Sequence, residues 1–181
     1  MAIQVVTGTP GAGKTLYVVH KLITEIYQLG RIIYHDIDGL DIAAIAELAG
    51  VKGPPVEGRI RRLAEAVRQD DGISPRSWMM ADDGAFFIFD EAQRDYRARN
   101  ASSKVPDWVA PLETHRHRGF DFIFITQHPS MLDSHVQNLC TGHTDLYRPF
   151  NFSRTTVAEW QIINKNPRPV QTRADSKKNA F

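Results

Sequence analysis

Short apolar runs alternate along the chain with longer segments in which apolar residues recur every three or four positions. The short runs predict strands at residues 3–7, 31–34, 85–89, 120–126, 144–147 and 155–162. The periodic segments predict helices at residues 14–29, 41–49, 59–69 and 129–139. Strands that alternate with helices are typical of an α/β domain, so we predict a three-layer α/β/α fold around a mostly parallel sheet.

The first predicted helix is the clearest amphipathic segment. Its apolar positions are Leu16, Val19, Leu22, Ile23 and Ile26. We expect this face to pack against the sheet, because a helix of a layered domain buries one apolar stripe.

Composition limits the classes of protein to consider. The 181 residues are 42% hydrophobic and 24% charged, which is typical of one globular domain and excludes a disordered or fibrous chain. A net charge of +1 does not by itself indicate a polyanionic partner. The longest apolar stretch, residues 85–89, is shorter than the roughly 18 residues that a membrane-spanning helix needs.

The end of the chain differs in composition from the rest. After residue 164 five basic residues stand against one acidic residue, so we predict a domain over residues 1–164 and a basic linker or tail over residues 165–181. Basic residues accumulate on the cytoplasmic side of membrane spans. We therefore expect a longer natural product to continue into a span after residue 181, which would place this part at the cytoplasmic face of the membrane.

A phosphate-binding loop lies between the first predicted strand and helix. The pattern G-x-x-x-x-G-K-[ST] is met by Gly8, Thr9, Pro10, Gly11, Ala12, Gly13, Lys14 and Thr15. Its backbone amides and the helix N-terminus are suited to phosphate oxygens, Lys14 to the β- and γ-phosphates, and the Thr15 hydroxyl to Mg²⁺. The chain is thus predicted to bind a nucleoside triphosphate with Mg²⁺.

Two carboxylates follow the strand of residues 85–89. Asp90 would hold Mg²⁺, through a water molecule, as the acidic residue after this strand does in P-loop NTPases. Glu91 beside it would orient and polarise an attacking water, which indicates hydrolysis of the γ-phosphate. Gln127, directly after the next buried strand, could hydrogen-bond the γ-phosphate or that water, or could be an ordinary polar strand end.

Arginines flank these strands. Arg116 and Arg118 precede the strand that ends near Gln127, and Arg94, Arg97 and Arg99 follow Glu91. A strand of about six residues spans roughly 20 Å, so Arg116 and Arg118 would start at the edge of the sheet away from the phosphates. We expect them to complete the site of a neighbouring subunit in a homo-oligomer, although a solvated basic loop is the alternative.

The base of the nucleotide is not specified by a known motif. Residues 164–167 read Asn-Lys-Asn-Pro and lack the carboxylate that selects guanine in GTPases, so adenine, and hence ATP, is the default expectation.

With the loop at residues 8–15, the Asp-Glu-Ala-Gln run at 90–93 and the Thr-His-Arg-His-Arg-Gly-Phe-Asp run at 114–121, the chain resembles the N-terminal domain of the zonular occludens toxin (Zot) family. That family includes inner-membrane assembly ATPases of filamentous phages. The resemblance implies a cytoplasmic motor that drives phage extrusion, with phage single-stranded DNA and coat or assembly proteins as partners. The alternatives are a P-loop kinase of small molecules and a nucleotide-binding scaffold that does not hydrolyse.

Overall fold

The fold is built around a mostly parallel sheet of eight strands. The computed structural model describes residues 3–26, 29–48, 56–63, 73–148, 155–168 and 179–180. The strands are β1 (Ile3–Gly8), β2 (Ile33–His35), β3 (Ile60–Arg62), β4 (Phe86–Phe89), β5 (Asp121–Ile125), β6 (Cys140–Tyr147), β7 (Thr156–Trp160) and β8 (Asn179–Ala180). They lie in the order β3-β2-β4-β5-β1-β6-β7-β8. The first six are parallel, whereas β7 and β8 are antiparallel.

Short helices connect these strands. The α-helices are α1 (Lys14–Lys21), α2 (Ile42–Leu48), α3 (Val56–Arg59) and α4 (Ser134–Leu139). A π-helical turn, Leu22–Ile26, continues α1, and 3₁₀ segments lie at Trp78–Met80, Ala92–Arg94, Ala110–Arg118 and Pro129–Met131.

The two faces of the sheet carry two different cores. Because successive strand residues point to opposite faces, Phe87 and Phe89 of β4 enter one core while Phe86 and Ile88 enter the other. The first core is rich in aromatic residues and includes residues of the 3₁₀ segment Ala110–Arg118 and of α4. The second is mainly aliphatic and includes residues of α1 and α2. The predicted three-layer α/β/α fold is therefore confirmed.

The predicted buried face of the first helix is wrong at Leu16, and the side chain of Ile26 lies outside what the structure describes. Leu16 is 73% exposed, whereas Val18 and Leu22 are fully buried. Leu16 lies two residues, and so roughly 200° around the helix, from Val18, which turns it away from the sheet that Val18 covers. Val19 and Ile23 are partly buried against the aliphatic core.

The helix predicted at residues 59–69 is wrong at Ile60–Arg62, whereas Arg59 ends the helix α3. Ile60–Arg62 is β3, which pairs in parallel with β2 at the edge of the sheet. Pairing with a neighbouring strand outweighs a three-residue helical pattern, because local propensity is a weak preference. Residues 64–69 lie outside the described residues.

Among the residues that the structure describes, no helix is long and apolar enough to cross a membrane.

Candidate functional site

The carboxyl ends of β2, β4, β5 and β1 meet at one edge of the sheet, because these strands are parallel neighbours. This edge brings the loop after β1 beside the residues that follow β4 and β5. The Gly8 amide donates to the Gln127 carbonyl oxygen at 3.4 Å, so the ends of β1 and β5 are in direct contact. The sequence motifs thus lie where open α/β sheets bind their ligands.

Glycine is required at specific points of the loop after β1. A Cβ atom at Gly8 would lie 2.3 Å from the Leu146 carbonyl oxygen, which excludes any side chain there. Gly11 and Gly13 have φ angles of +73° and +89°, in the left-handed region that favours glycine. The loop therefore curls back tightly before α1 begins at Lys14.

Lys14 lies folded against this loop. Lys14 is only 8% exposed. Its Nζ donates to the carbonyl oxygens of Gly8 at 3.1 Å and Thr9 at 3.3 Å. The ammonium group therefore lies against the curled backbone at the start of a helix, where the partial positive charge favours an anion.

Thr15 and Asp90 connect the loop to β4. The Thr15 hydroxyl donates to Asp90 Oδ2 at 3.0 Å, across 75 residues of sequence. Neighbouring oxygens in a Mg²⁺ octahedron with Mg–O distances of 2.0–2.1 Å are about 3 Å apart. Both groups are hard oxygen donors, so the pair fits a Mg²⁺ ion within direct or water-mediated reach of each oxygen.

Glu91 has an uncommon backbone conformation and a defined side-chain partner. Its φ angle of 47° makes it the one described residue other than glycine in the left-handed region, a conformation that costs of order 1–3 kcal/mol. Its amide donates to Asp90 Oδ1 at 2.9 Å, and its Oε2 accepts from Gln93 Nε2. Gln93 Oε1 in turn accepts from the Thr126 hydroxyl at 2.7 Å. The Glu91 carboxylate is thereby tied to the end of β5.

Sequence reasoning missed two contributors to this edge. Gln93 positions Glu91, and Asp36, directly after β2, accepts from the Asp90 amide. Burial, reinforced by the charge of Asp90, raises the pKa of Asp36 to about 7, while Arg94 opposes the shift. An acidic residue two positions after the strand predicted at residues 31–34 was the signal for Asp36, because such positions face the ligand edge of a parallel sheet.

The flanking arginines occupy different places. Arg116 and Arg118 end the 3₁₀ segment that precedes β5, so they start at the opposite end of this strand from Gln127. Arg118 donates to Asp83 at 2.5 Å and to the Ala81 carbonyl oxygen at 2.8 Å, whereas Arg116 is exposed. Their predicted starting point is confirmed, and their role in a neighbouring site stays a prediction.

Of the arginines that follow β4, Arg99 forms an ion pair with buried Asp133 at 2.5 Å. Arg97 lies in an isolated backbone bridge with Leu132, and its side chain is exposed. The positive charge of Arg94 lowers the pKa of Asp36, in opposition to burial.

A buried chain of hydrogen bonds lies beneath the loop. The Thr7 hydroxyl donates to Asp145 Oδ1 at 2.6 Å, so His143 Nε2, 2.8 Å away, must donate to that same hydroxyl. His143 Nδ1 accepts from the Asn164 amide at 3.1 Å, which fixes the tautomer. Burial lowers the pKa of His143 to about 4, so the ring is neutral.

Arg168 forms an ion pair with the Asp145 end of this chain. Its Nε lies 3.2 Å from Oδ2 of Asp145, a carboxylate with no exposed surface, and its Nη2 donates to the Gln127 carbonyl oxygen at 3.0 Å. Burial raises the pKa of Asp145, and both the Thr7 hydrogen bond and the Arg168 charge oppose the shift. Sequence reasoning assigned Arg168 to the tail; the division at residue 164 stays a prediction, but residues up to Arg168 contact the domain.

A comparison with known proteins found a relative of similar sequence. A relative from Pseudomonas phage Pf3, named "Putative assembly protein ORF301", is 30% identical over 178 residues, which are 96% of this chain and 52% of the relative. The chain therefore spans about half the length of that protein.

Solved structures resemble the fold. The N-terminal domain of zonular occludens toxin from Neisseria meningitidis superimposes with a TM-score of 0.78 at 28% identity, over 99% of this chain and 93% of that one. The genome packaging NTPase B204 from Sulfolobus turreted icosahedral virus 2, in complex with AMPPCP, gives a TM-score of 0.61 at 14% identity, over 87% and 92%. This second likeness shows a P-loop NTPase fold.

The family described as zonular occludens toxin (Zot) matches residues 2–178, nearly the whole chain. The chain belongs to the zonular occludens toxin family.

Proposed function

We propose that this chain is a Mg²⁺-dependent ATPase that acts as a motor in filamentous phage assembly and extrusion. The single observation that carries the proposal is the hydrogen bond from the Thr15 hydroxyl to Asp90, at 3.0 Å. It brings an oxygen of the phosphate loop next to an oxygen at the end of β4. A structural strand end capped by solvated carboxylates would have no reason to meet a loop hydroxyl 75 residues away.

Binding of the triphosphate follows from the loop. The backbone amides that curl between Gly8 and Lys14 donate to phosphate oxygens, and the ammonium group of Lys14 exchanges its carbonyl partners for the β- and γ-phosphates. Thr15 and Asp90 hold Mg²⁺, which neutralises the phosphate charge when it is bound.

Hydrolysis requires a positioned water molecule. Glu91 accepts a hydrogen bond from that water and polarises it toward the γ-phosphate. Gln93 keeps the carboxylate oriented from the side of β5, and Gln127 lies at the tip of the same strand, next to the loop. The strained backbone of Glu91 supports a functional role, because such conformations concentrate at active sites.

A second subunit completes the site in this proposal. Arg116 and Arg118 lie beyond the far end of β5, so a neighbouring copy is better placed than the same chain to receive their charge. Arginine supplied in trans stabilises the transition state of phosphoryl transfer by neutralising its charge. The active form is then a homo-oligomer with head-to-tail contacts.

The load of the motor is inferred from the relatives. The Pf3 protein carries the name of an assembly protein, and B204 is described as a genome packaging NTPase. We assign to this chain the phage single-stranded DNA and phage coat or assembly proteins as partners, and the cytoplasmic face of the host inner membrane as its place of action.

The test is release of phosphate from ATP by the purified chain, with and without Mg²⁺ and with and without phage single-stranded DNA. We expect Mg²⁺-dependent turnover that needs no added phosphate acceptor and that DNA stimulates. A kinase would turn over only with an acceptor. ATP binding with no turnover under any of these conditions would contradict the motor and favour a scaffold.

A further inference from the structure

An apolar cleft adjoins the phosphate loop on the side away from Asp90 and Glu91. Its volume is about 250 Å³. The residues that line it are Ala12, Gly13, Leu16, Tyr17, His20, Leu146, Arg148 and Thr155. Ala12 and Gly13 belong to both the loop and the cleft, so a ligand whose phosphates occupy the loop has its remaining part at the mouth of this cleft.

The size of the cleft limits its occupant. Pockets that bury a whole drug-sized ligand measure roughly 300–1,000 Å³. A cleft of about 250 Å³ is therefore suited to a planar fragment, such as the base of a nucleotide, rather than to a separate ligand. Leu16, which is 73% exposed on the first turn of α1, supplies an apolar side chain at its rim.

The Thr155 and Tyr17 hydroxyls of the cleft are already engaged, and its other polar residues, His20 and Arg148, are exposed to water. The Thr155 hydroxyl donates to the Ala12 carbonyl oxygen at 3.1 Å and accepts from Arg148 Nε at 3.3 Å. The Tyr17 hydroxyl donates to Glu159 at 3.2 Å. None of the lining residues carries a carboxylate, and the sequence between Arg148 and Thr155 contains neither Asp nor Glu.

We propose that this cleft receives the base of the bound nucleotide by apolar contact and discriminates little between adenine and guanine. The inference rests on the proposed nucleotide site. Recognition of guanine requires acceptors for its N1–H and amino groups, and rejection of either purine requires a buried polar group that the wrong base leaves unpaired. The described lining of this open cleft supplies neither, because its polar residues His20 and Arg148 are exposed and the polar edge of the base stays in water.

The experiment measures dissociation constants in the presence of Mg²⁺ for three probes: ATP, GTP and inorganic tripolyphosphate. We expect ATP and GTP to bind within about tenfold of each other, and both to bind more tightly than tripolyphosphate. The variant Leu16→Gln removes apolar contact without adding charge. It should weaken ATP and GTP binding by roughly three- to tenfold and leave tripolyphosphate binding unchanged.

The matched control is Leu48→Gln, since Leu48 is an equally exposed leucine, at 72%, at the end of α2 and outside the cleft. It should bind all three probes like the unmodified chain. Tripolyphosphate binding as tight as that of ATP, or an unchanged Leu16→Gln variant, would overturn the base cleft. A preference of 100-fold or more for one purine would overturn the lack of discrimination. Failure of all three probes to bind would instead refute the nucleotide site itself.

Discussion

The buried pair of Asp145 and Arg168 leads to a prediction that stability will change with pH. Replacing Arg168 with alanine leaves the Asp145 carboxylate, which has no exposed surface, without its cation. Breaking a buried ion pair in this way costs about 3–5 kcal/mol. Because Arg168 is 29% exposed, we expect the cost of breaking this pair to lie near the lower end of that range. The lost hydrogen bond to Gln127 adds about 1 kcal/mol, so we expect a loss of about 4 kcal/mol at pH 7.5.

Protonation of Asp145 sets an upper limit on the electrostatic part of the stability that Arg168→Ala loses. The ordinary pKa of an aspartate carboxyl is 3.8, and each pH unit above it adds about 1.4 kcal/mol to the free energy of protonating the group. Neutralising this carboxyl therefore costs about 5 kcal/mol at pH 7.5 and about 1.6 kcal/mol at pH 5.0. The folded-state pKa is already raised, and loss of the Arg168 charge raises it further. A raised pKa destabilises the fold as the pH increases above 3.8, so the penalty of Arg168→Ala must shrink in acid, to at most about 2.6 kcal/mol at pH 5.0.

Urea denaturation at pH 7.5 and pH 5.0 measures this difference. The control is Lys165→Ala, which removes a positive charge from an exposed side chain of the same segment and should change the free energy of unfolding by less than about 0.5 kcal/mol. Arg168→Lys should recover part of the loss at pH 7.5. Equal losses at both pH values, or an Arg168→Ala variant as stable as the control, would refute the role of the pair.

Two further predictions concern the nucleotide site. Lys14→Ala should abolish ATP binding in a calorimetric titration, because it removes the cation nearest the loop; unchanged affinity would refute the phosphate loop. A mixture of the Arg116→Ala/Arg118→Ala double variant with Lys14→Ala protein should regain ATPase activity that neither parent has, since each supplies what the other lacks. Full activity of the double variant alone would exclude an arginine acting in trans.

The sequence predicted the parts of the site that depend on strand ends. Parallel strands bring their carboxyl ends to one edge, so a loop after β1, carboxylates after β4 and an amide after β5 had to meet there. The same logic applies to Asp36, which follows β2, but the sequence analysis did not select that residue. Strong local motifs and sheet geometry together were sufficient to predict that these three segments lie at the same edge of the sheet.

The features of the fold and site that the sequence did not predict depend on contacts between segments that are distant in sequence. Arg168 meets Asp145 only because β6 and β7 return the chain beneath the loop, and in sequence it stands among basic residues typical of a tail. Exposure of Leu16 depends on which side of the helix meets the sheet, which the periodicity of the apolar residues did not specify. The strand at Ile60–Arg62 forms because β2 offers it an edge for pairing.

The most direct test of the central claim is a comparison of the unmodified chain with Glu91→Gln in two measurements, ATP binding and phosphate release in the presence of Mg²⁺. This substitution keeps the size of the side chain and its ability to accept from Gln93, but removes the charge that polarises water. We predict unchanged ATP affinity and phosphate release slowed by about 10² to 10⁴-fold. Phosphate release at the rate of the unmodified chain would contradict the account and leave Glu91 as a structural residue at the end of β4.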